Sequence, residues 1–193
     1  LKEGEQYIAE RHSGVSIIFV DIVGFTELSS KLRASELGTI LDSIFRRFDL
    51  ICERYGAEKI KTIGDGYMAA TGVPEADPDH AANAARTALA FCESLENSVE
   101  RHGIRLTIRV GVHTGTVVAG VIGEKKFIYD LWGDTVNVAS RMESHGEVGR
   151  VHISKELRDE LGSGFSVEAR GEIEVKGKGL METFFLLEEN AAP

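Results

Sequence analysis

Cysteine is scarce in this chain. Cys52 and Cys92 are the only two among 193 residues. Two lone thiols, both in helical patterns, suit a reducing compartment and do not make a disulfide scaffold. Long apolar runs are missing as well. Nothing approaches the roughly 18 apolar residues that read as a membrane span, and no signal peptide is visible. No membrane contact within this chain is therefore expected, and the expected location is cytoplasmic. Basic excess is also absent: 22 Lys and Arg face 31 Asp and Glu, for a net charge of −9 and an isoelectric point near 5.2. A general nucleic-acid binder needs a basic footprint, so no nucleic-acid partner is expected. A nucleotide site survives this argument, because a few local cations and a metal can offset a triphosphate. Internal repeats and low-complexity tracts are absent too. The first residue is Leu1 rather than Met, as in a piece of something longer.

What is present suits one globular domain with a real core: 42% of the residues are hydrophobic and 27% charged. Residues 1–14 are polar and read as a linker or lead-in, which leaves 15–193 as the domain. Val15 to Val20 is a nearly continuous apolar run, as in a strand buried on both faces, and it ends at Asp21. A short helix starts near Gly24-Phe25-Thr26. A longer one from about Ser35 carries Leu37, Ile40, Leu41, Ile44, Phe45 and Phe48 at helical spacing. Asp77-Pro78 starts a helix to about Arg101. A strand with alternating faces spans Ile104 to Val112, and a separate strand, Thr116 to Ile122, follows a turn at Gly115. Glu124-Lys125-Lys126 is a charged tip, and Phe127 to Leu131 is short and extended. Gly133-Asp134 caps a helix to about Ser144. Val151–Ser154, a helix near Lys155–Leu161, and strands near Phe165–Glu168, Ile173–Val175 and Thr183–Leu187 close the chain. This order predicts an α+β fold: a ferredoxin-like βααββαβ core with a C-terminal α/β extension, helices packed on one face of the sheet. The other face needs a partner or a ligand.

The organising stretch is Lys59-Ile60-Lys61-Thr62-Ile63-Gly64-Asp65-Gly66-Tyr67-Met68. Lys59, Lys61 and Ile63 alternate with Ile60 and Thr62, and Gly64-Asp65-Gly66 is hairpin-turn chemistry. The hairpin lifts Asp65 to its tip and holds Lys61 on a rigid strand. Asp21 ends a strand that would lie beside it. Two carboxylates on a rigid sheet suit Mg²⁺ or Mn²⁺ in a phosphoryl-transfer site, and the loop from Asp21 leads into a helix whose N–H groups can hold phosphate oxygens. The same residues also read as a capping Asp and a solvated turn. Asn137 and Arg141, at i and i+4, share one helix face. Asp130 stands in an apolar setting of Tyr129, Leu131 and Trp132, where a carboxylate is expected to be paired or to recognise something.

Five motifs then fall in order: Val20-Asp21-Ile22-Val23-Gly24-Phe25-Thr26, Lys59-Ile60-Lys61-Thr62-Ile63-Gly64-Asp65, Arg109-Val110-Gly111, Asp130-Leu131-Trp132-Gly133-Asp134-Thr135-Val136-Asn137-Val138-Ala139-Ser140-Arg141, and Val175-Lys176-Gly177-Lys178-Gly179. Together, over about Val15 to Leu187, they resemble the class III nucleotidyl cyclase catalytic domain, of the bacterial homodimeric adenylyl cyclase type. The resemblance implies two divalent cations, Mg²⁺ or Mn²⁺, held by Asp21, Asp65 and the Ile22 carbonyl. It implies a base-selecting pair at Lys61 and Asp130, where guanylyl cyclases carry Glu and a small residue. It gives Asn137 the ribose, Arg141 the transition state at the α-phosphate, and Arg109, Lys176 and the Gly24-Phe25-Thr26 loop the phosphates. It further implies a head-to-tail homodimer, with each site drawn from both subunits and an arm around Thr116–Phe127. The activity expected is conversion of ATP to cyclic AMP and pyrophosphate. A guanylyl cyclase is disfavoured by Lys61 and Asp130, a silent regulatory domain by the retention of every motif residue. A diguanylate cyclase is disfavoured by the Gly64-Asp65-Gly66-Tyr67 hairpin, which lacks the Gly-Gly-acidic-Glu-Phe pattern.

Overall fold

The computed structural model describes residues 8–96, 106–122 and 128–191. The element order is β1 (Ile8–Val23), α1 (Phe25–Lys31), α2 (Ala34–Tyr55), β2 (Glu58–Ile63), β3 (Gly66–Thr71), α3 (His80–Glu96) and β4 (Thr107–Ile122). The chain continues with β5 (Ile128–Trp132), α4 (Asp134–Ser144), β6 (Val151–Ser154), α5 (Lys155–Leu161), β7 (Phe165–Val175) and β8 (Gly179–Glu189). The first seven elements are the expected βααββαβ core, and the rest form the C-terminal extension. Among the described residues the sheet has eight strands in the order β2-β3-β1-β4-β6-β8-β7, with β5 also on β4. β4 and β6 run parallel, whereas the other pairs are antiparallel.

Alternation along β1 sorts its side chains onto two faces. Ile18, Val20 and Ile22 join the larger core with Leu28, Ile44, Phe48, Ala84, Ala88, Phe91 and Leu157 from α1, α2, α3 and α5. Val15 and Ile17 join a second core with Met68, Ala70, Leu131 and Ala139. Helices therefore lie on both faces. Four pack on the first, and α4 covers part of the second, where the sequence leaves the face open.

Four local expectations are corrected. From Ile8 onward the supposed lead-in is strand, because β1 continues along Val117–Val121 of β4 beyond a register shift between His12 and Val15. Gly115 makes no turn: β4 runs straight through it. A Cβ there would stand 2.7 Å from Thr135 Oγ1, so this glycine provides room for α4. The two short strands expected at 165–175 are one strand, β7, with irregularities at Ser166/Val167 and Ala169/Gly171. The regular alternation of β2 is broken by a register shift between Lys59 and Lys61. Lys59 consequently reaches Asp49 of α2 at 2.8 Å, whereas Lys61 reaches Asp130 of β5 at 2.6 Å. Bulges of this kind re-aim side chains beside functional sites. The end of the α3 helix near Arg101, the start of the following strand and the charged tip at 124–126 lie outside the described residues.

Candidate active site

Asp21 is the last pair of the β1–β3 ladder and lies two pairs from the end of the β1–β4 ladder. It opposes Gly66 of β3 on one side and Arg109 of β4 on the other. Residues directly opposite in a ladder share a face, and Arg109 Nη2 donates to Asp21 Oδ2 at 2.8 Å. Asp65 sits in the β2–β3 turn, next to Gly66, half-buried. Gly24, with φ of 81°, precedes α1, whose first turn receives no side-chain cap. Phe25 packs partly into the larger core while Gly24 and Thr26 are exposed.

One residue here escaped sequence reasoning. Glu143, in the last turn of α4, places Oε1 3.2 Å from Arg109 Nε, and its side chain is 13% exposed. The approach is close but out of line. Both Arg109 Nε and Glu143 Oε1 are buried without a hydrogen-bond partner. Burial, then the charges of Asp21 and Asp65, push the Glu143 carboxyl up to about 7, and Arg109 opposes the shift. Asp21 opposes Gly66, the residue after Asp65, so the two carboxylates lie at the same end of the sheet. Gly111 makes the approach possible: a Cβ there would lie 1.9 Å from the Glu143 backbone N. A glycine two residues after Arg109 is the one hint the sequence carries, and it does not name its partner.

A second cluster joins β2 to β5. Lys61 Nζ donates to both Asp130 oxygens, at 2.8 and 2.6 Å. Asp130 Oδ1 also accepts from its neighbour's backbone, Leu131 N, at 2.8 Å. The expected pairing of the buried-context carboxylate is what the fold contains.

The third cluster is an open cavity of about 430 Å³ between α4 and the β7–β8 connection, lined by Asn137, Arg141, Lys176 and Lys178 among others. Asn137 and Arg141 do share one face of α4. Lys178 is held by Asp134 at 2.6 Å. Arg141 and Lys176 are exposed, and neither side chain has an ion-pair partner among the described residues. This is a cationic pocket in which Arg141 and Lys176 are uncommitted, suited to an anion.

The predicted residues thus fall into three groups, and the cavity of Asn137, Arg141 and Lys176 does not include Asp21 or Asp65. No cluster of three or more His, Cys, Asp or Glu that could hold a metal occurs among the described residues. Two carboxylates and a carbonyl are a hard oxygen donor set. They fit Mg²⁺ or Mn²⁺, ions that complete their coordination with water and substrate phosphates. The Arg109 guanidinium on Asp21 shows that this carboxylate already attracts a cation.

Residues 7–188 match the family model described as the adenylate and guanylate cyclase catalytic domain. The chain belongs to this family. It is 43% identical over its full length to an adenylate cyclase of Mycobacterium bovis, and 45% identical over 199 aligned residues to atrial natriuretic peptide receptor 2 of Rattus norvegicus. It spans 44% of the first relative and 19% of the second. Its fold matches the guanylate cyclase domain of RhGC from Catenaria anguillulae, solved in complex with GTP, with a TM-score of 0.90 and 36% identity. That match covers 94% of this chain and all of the other. The cyclase domain is therefore established, and the chain is similar both to a protein named an adenylate cyclase, at 43% identity, and to a guanylate cyclase domain, at 36%. Among the described residues no helix is long and apolar enough to cross a membrane.

Proposed function

We propose that this cyclase domain is an adenylyl cyclase, forming 3′,5′-cyclic AMP and pyrophosphate from ATP in the cytoplasm, where ATP and divalent cations are available. The observation that carries the base preference is the Lys61–Asp130 pair. Adenine offers an acceptor at N1 and a donor at N6, complementary to an ammonium and a carboxylate. The ammonium has three N–H groups, so Lys61 can keep Asp130 while donating to the base. Guanine presents the reverse polarity and leaves both groups mispaired.

Asn137 orients the ribose so that its 3′-oxygen faces the α-phosphorus. That oxygen forms the new bond, the bond to the bridging oxygen of pyrophosphate breaks, and the 3′-proton leaves to Asp21 or solvent. Arg141 meets the charge that builds on the α-phosphoryl oxygens. Arg109, Lys176 and the backbone of Gly24-Phe25-Thr26 hold the β- and γ-phosphates. Two Mg²⁺ or Mn²⁺ ions at Asp21, Asp65 and the Ile22 carbonyl would acidify the 3′-hydroxyl and offset the triphosphate charge.

The separation of the cationic cavity from Asp21 and Asp65 supports a site shared between two subunits of a head-to-tail homodimer. Each domain then contributes its carboxylates to one site and its α4 cavity to the other. The test is product formation from ATP and from GTP, with Mg²⁺ or Mn²⁺, over a range of protein concentrations. Cyclic AMP, with specific activity rising with concentration, is expected. Cyclic GMP as the main product would overturn the assignment of Lys61 and Asp130, and activity independent of concentration at every dilution would count against the shared site.

A further inference from the structure

Glu143 sits on the side of α4 away from the cavity. Arg141 precedes it by two residues, close to half a turn, so one helix serves two places. Its front presents Asn137 and Arg141 to the cavity. Its last turn presses on Gly111 and brings Glu143 to Arg109. Arg109 is gripped at two different points: Asp21 takes a terminal nitrogen, Nη2, and Glu143 approaches Nε.

We propose that Glu143 is a positioning residue for Arg109, holding the guanidinium by Nε so that its terminal nitrogens stay aimed at the triphosphate. This rests on the reading of Arg109 as a phosphate-binding residue. A guanidinium carries five N–H donors in a fixed fork, so a carboxylate on Nε orients the other four. The alternative anchor, Asp21, cannot serve during turnover, because the same reading gives its oxygens to a cation. Glu143 is then the carboxylate left to hold Arg109. The two unpartnered buried atoms, Arg109 Nε and Glu143 Oε1, fit this: at 3.2 Å they need only alignment to form a charge-assisted bond. Burial, with the charges of Asp21 and Asp65, raises the Glu143 pKa, and Arg109 opposes the rise.

The test is a double-mutant cycle between Glu143→Ala and Arg109→Ala, with Glu143→Gln as the variant that keeps the size and an acceptor oxygen. Two quantities are read: KM against kcat for ATP, and the affinity for 3′-deoxy-ATP, which binds but lacks the attacking hydroxyl. Glu143→Ala is expected to weaken 3′-deoxy-ATP binding and raise KM about tenfold, as lost supporting contacts do, with kcat changed by less than about twofold. Glu143→Gln recovers most of the loss, and the double variant binds no worse than Arg109→Ala. Additive losses, or wild-type affinity in Glu143→Ala, overturn the proposal. Arg109→Ala binding as tightly as wild type removes the phosphate role of Arg109 and this proposal with it. Weak binding by Arg109→Ala beside normal binding by Glu143→Ala removes this proposal alone.

A second measurement separates positioning from distortion of α4. In a mixture of Asp65→Ala and Asn137→Ala subunits, one heterodimer site keeps all its residues. Glu143→Ala added to the Asn137→Ala subunit, which supplies Arg109 to that site, should weaken it. Added to the other subunit it should not. The reverse pattern assigns Glu143 to holding Arg141 and overturns the proposal. A mixture inactive in every placement refutes the shared site, and the affinity cycle then decides alone.

Discussion

The two halves of the site hold their charges differently. At the ends of β1 and β4, Asp21 is tied to Arg109 and Arg109 is approached by Glu143. At the mouth of the α4 cavity, Arg141 and Lys176 are exposed and uncommitted, and only Lys178 is tied, to Asp134. The tied half has one guanidinium among its carboxylates and must exchange that cation for another before it can act. The open half is ready for an anion. A carboxylate cluster held apart by its own arginine avoids like-charge repulsion in the resting state, whereas exposed cations cost little when left in water. Order in one half and readiness in the other follow from the same rule: burial demands pairing and exposure does not.

The sharpest way to break this comparison is to remove one residue from each half. Arg141→Ala should lower kcat about 100-fold or more, as loss of a transition-state donor does. It should leave the thermal midpoint unchanged, because the side chain is exposed and unpaired. Asp21→Ala should abolish turnover and also move the midpoint, since it frees a guanidinium that is only 33% exposed. Equal midpoint changes in both variants, read by calorimetry, would erase the distinction. Mixing comes next. Asp65→Ala and Asn137→Ala proteins, each inactive, should regain about a quarter of wild-type activity at equal ratio: random pairing puts half of the dimers in the mixed form, with one complete site of two. A mixture as inactive as its parts would mean that the halves do not meet across subunits.

A smaller effect is expected at the base pair. Lys61→Glu combined with Asp130→Cys should shift the ratio of kcat/KM values from ATP toward GTP by about tenfold or more, because the hydrogen-bonding polarity is reversed while the phosphate and ribose contacts stay. An unchanged ratio would place base selection elsewhere.

The sequence shows the individual parts and hides their meetings. β6 and α5 have the expected bounds because Ser154 caps α5 through its side chain and ends a run of buried residues. Asn137 and Arg141 share a face because helical spacing alone dictates it. Gly115 misled because a glycine needed for space looks identical, along the chain, to one needed for a turn. Lys59 and Lys61 look equivalent by alternation, and only the register shift against β3 sends them to different partners. Nothing along the chain singles out Glu143. Its role depends on α4 crossing β4 at Gly111, a tertiary contact with no local signature.

The smallest expected effect concerns one of the bonds that tie α4 to the sheet. His152 of β6 is fully buried, with Nδ1 2.7 Å from the carbonyl oxygen of Met142 in α4 and its ring against Phe185. Burial lowers its pKa from 6.5 to about 4, and Arg170 and His145 push the same way, against the Met142 contact. An unfolded histidine takes up its proton near 6.5, but the folded one resists until about 4. As pH falls through that window the unfolded state binds more protons and stability falls, by on the order of 3 kcal/mol at the low end. His113, also lowered by burial, adds to the slope. Glu143 opposes it: its carboxyl is raised in the folded state, so its cost appears as pH rises above about 4.5 and is relieved as pH falls. The net slope is a difference, and a substitution isolates the His152 share. Urea midpoints at pH 7.5 and 5.0 should drop less in His152→Gln than in the wild type. Equal drops would mean that His152 carries no proton penalty and that the acid sensitivity lies with His113 and its neighbours.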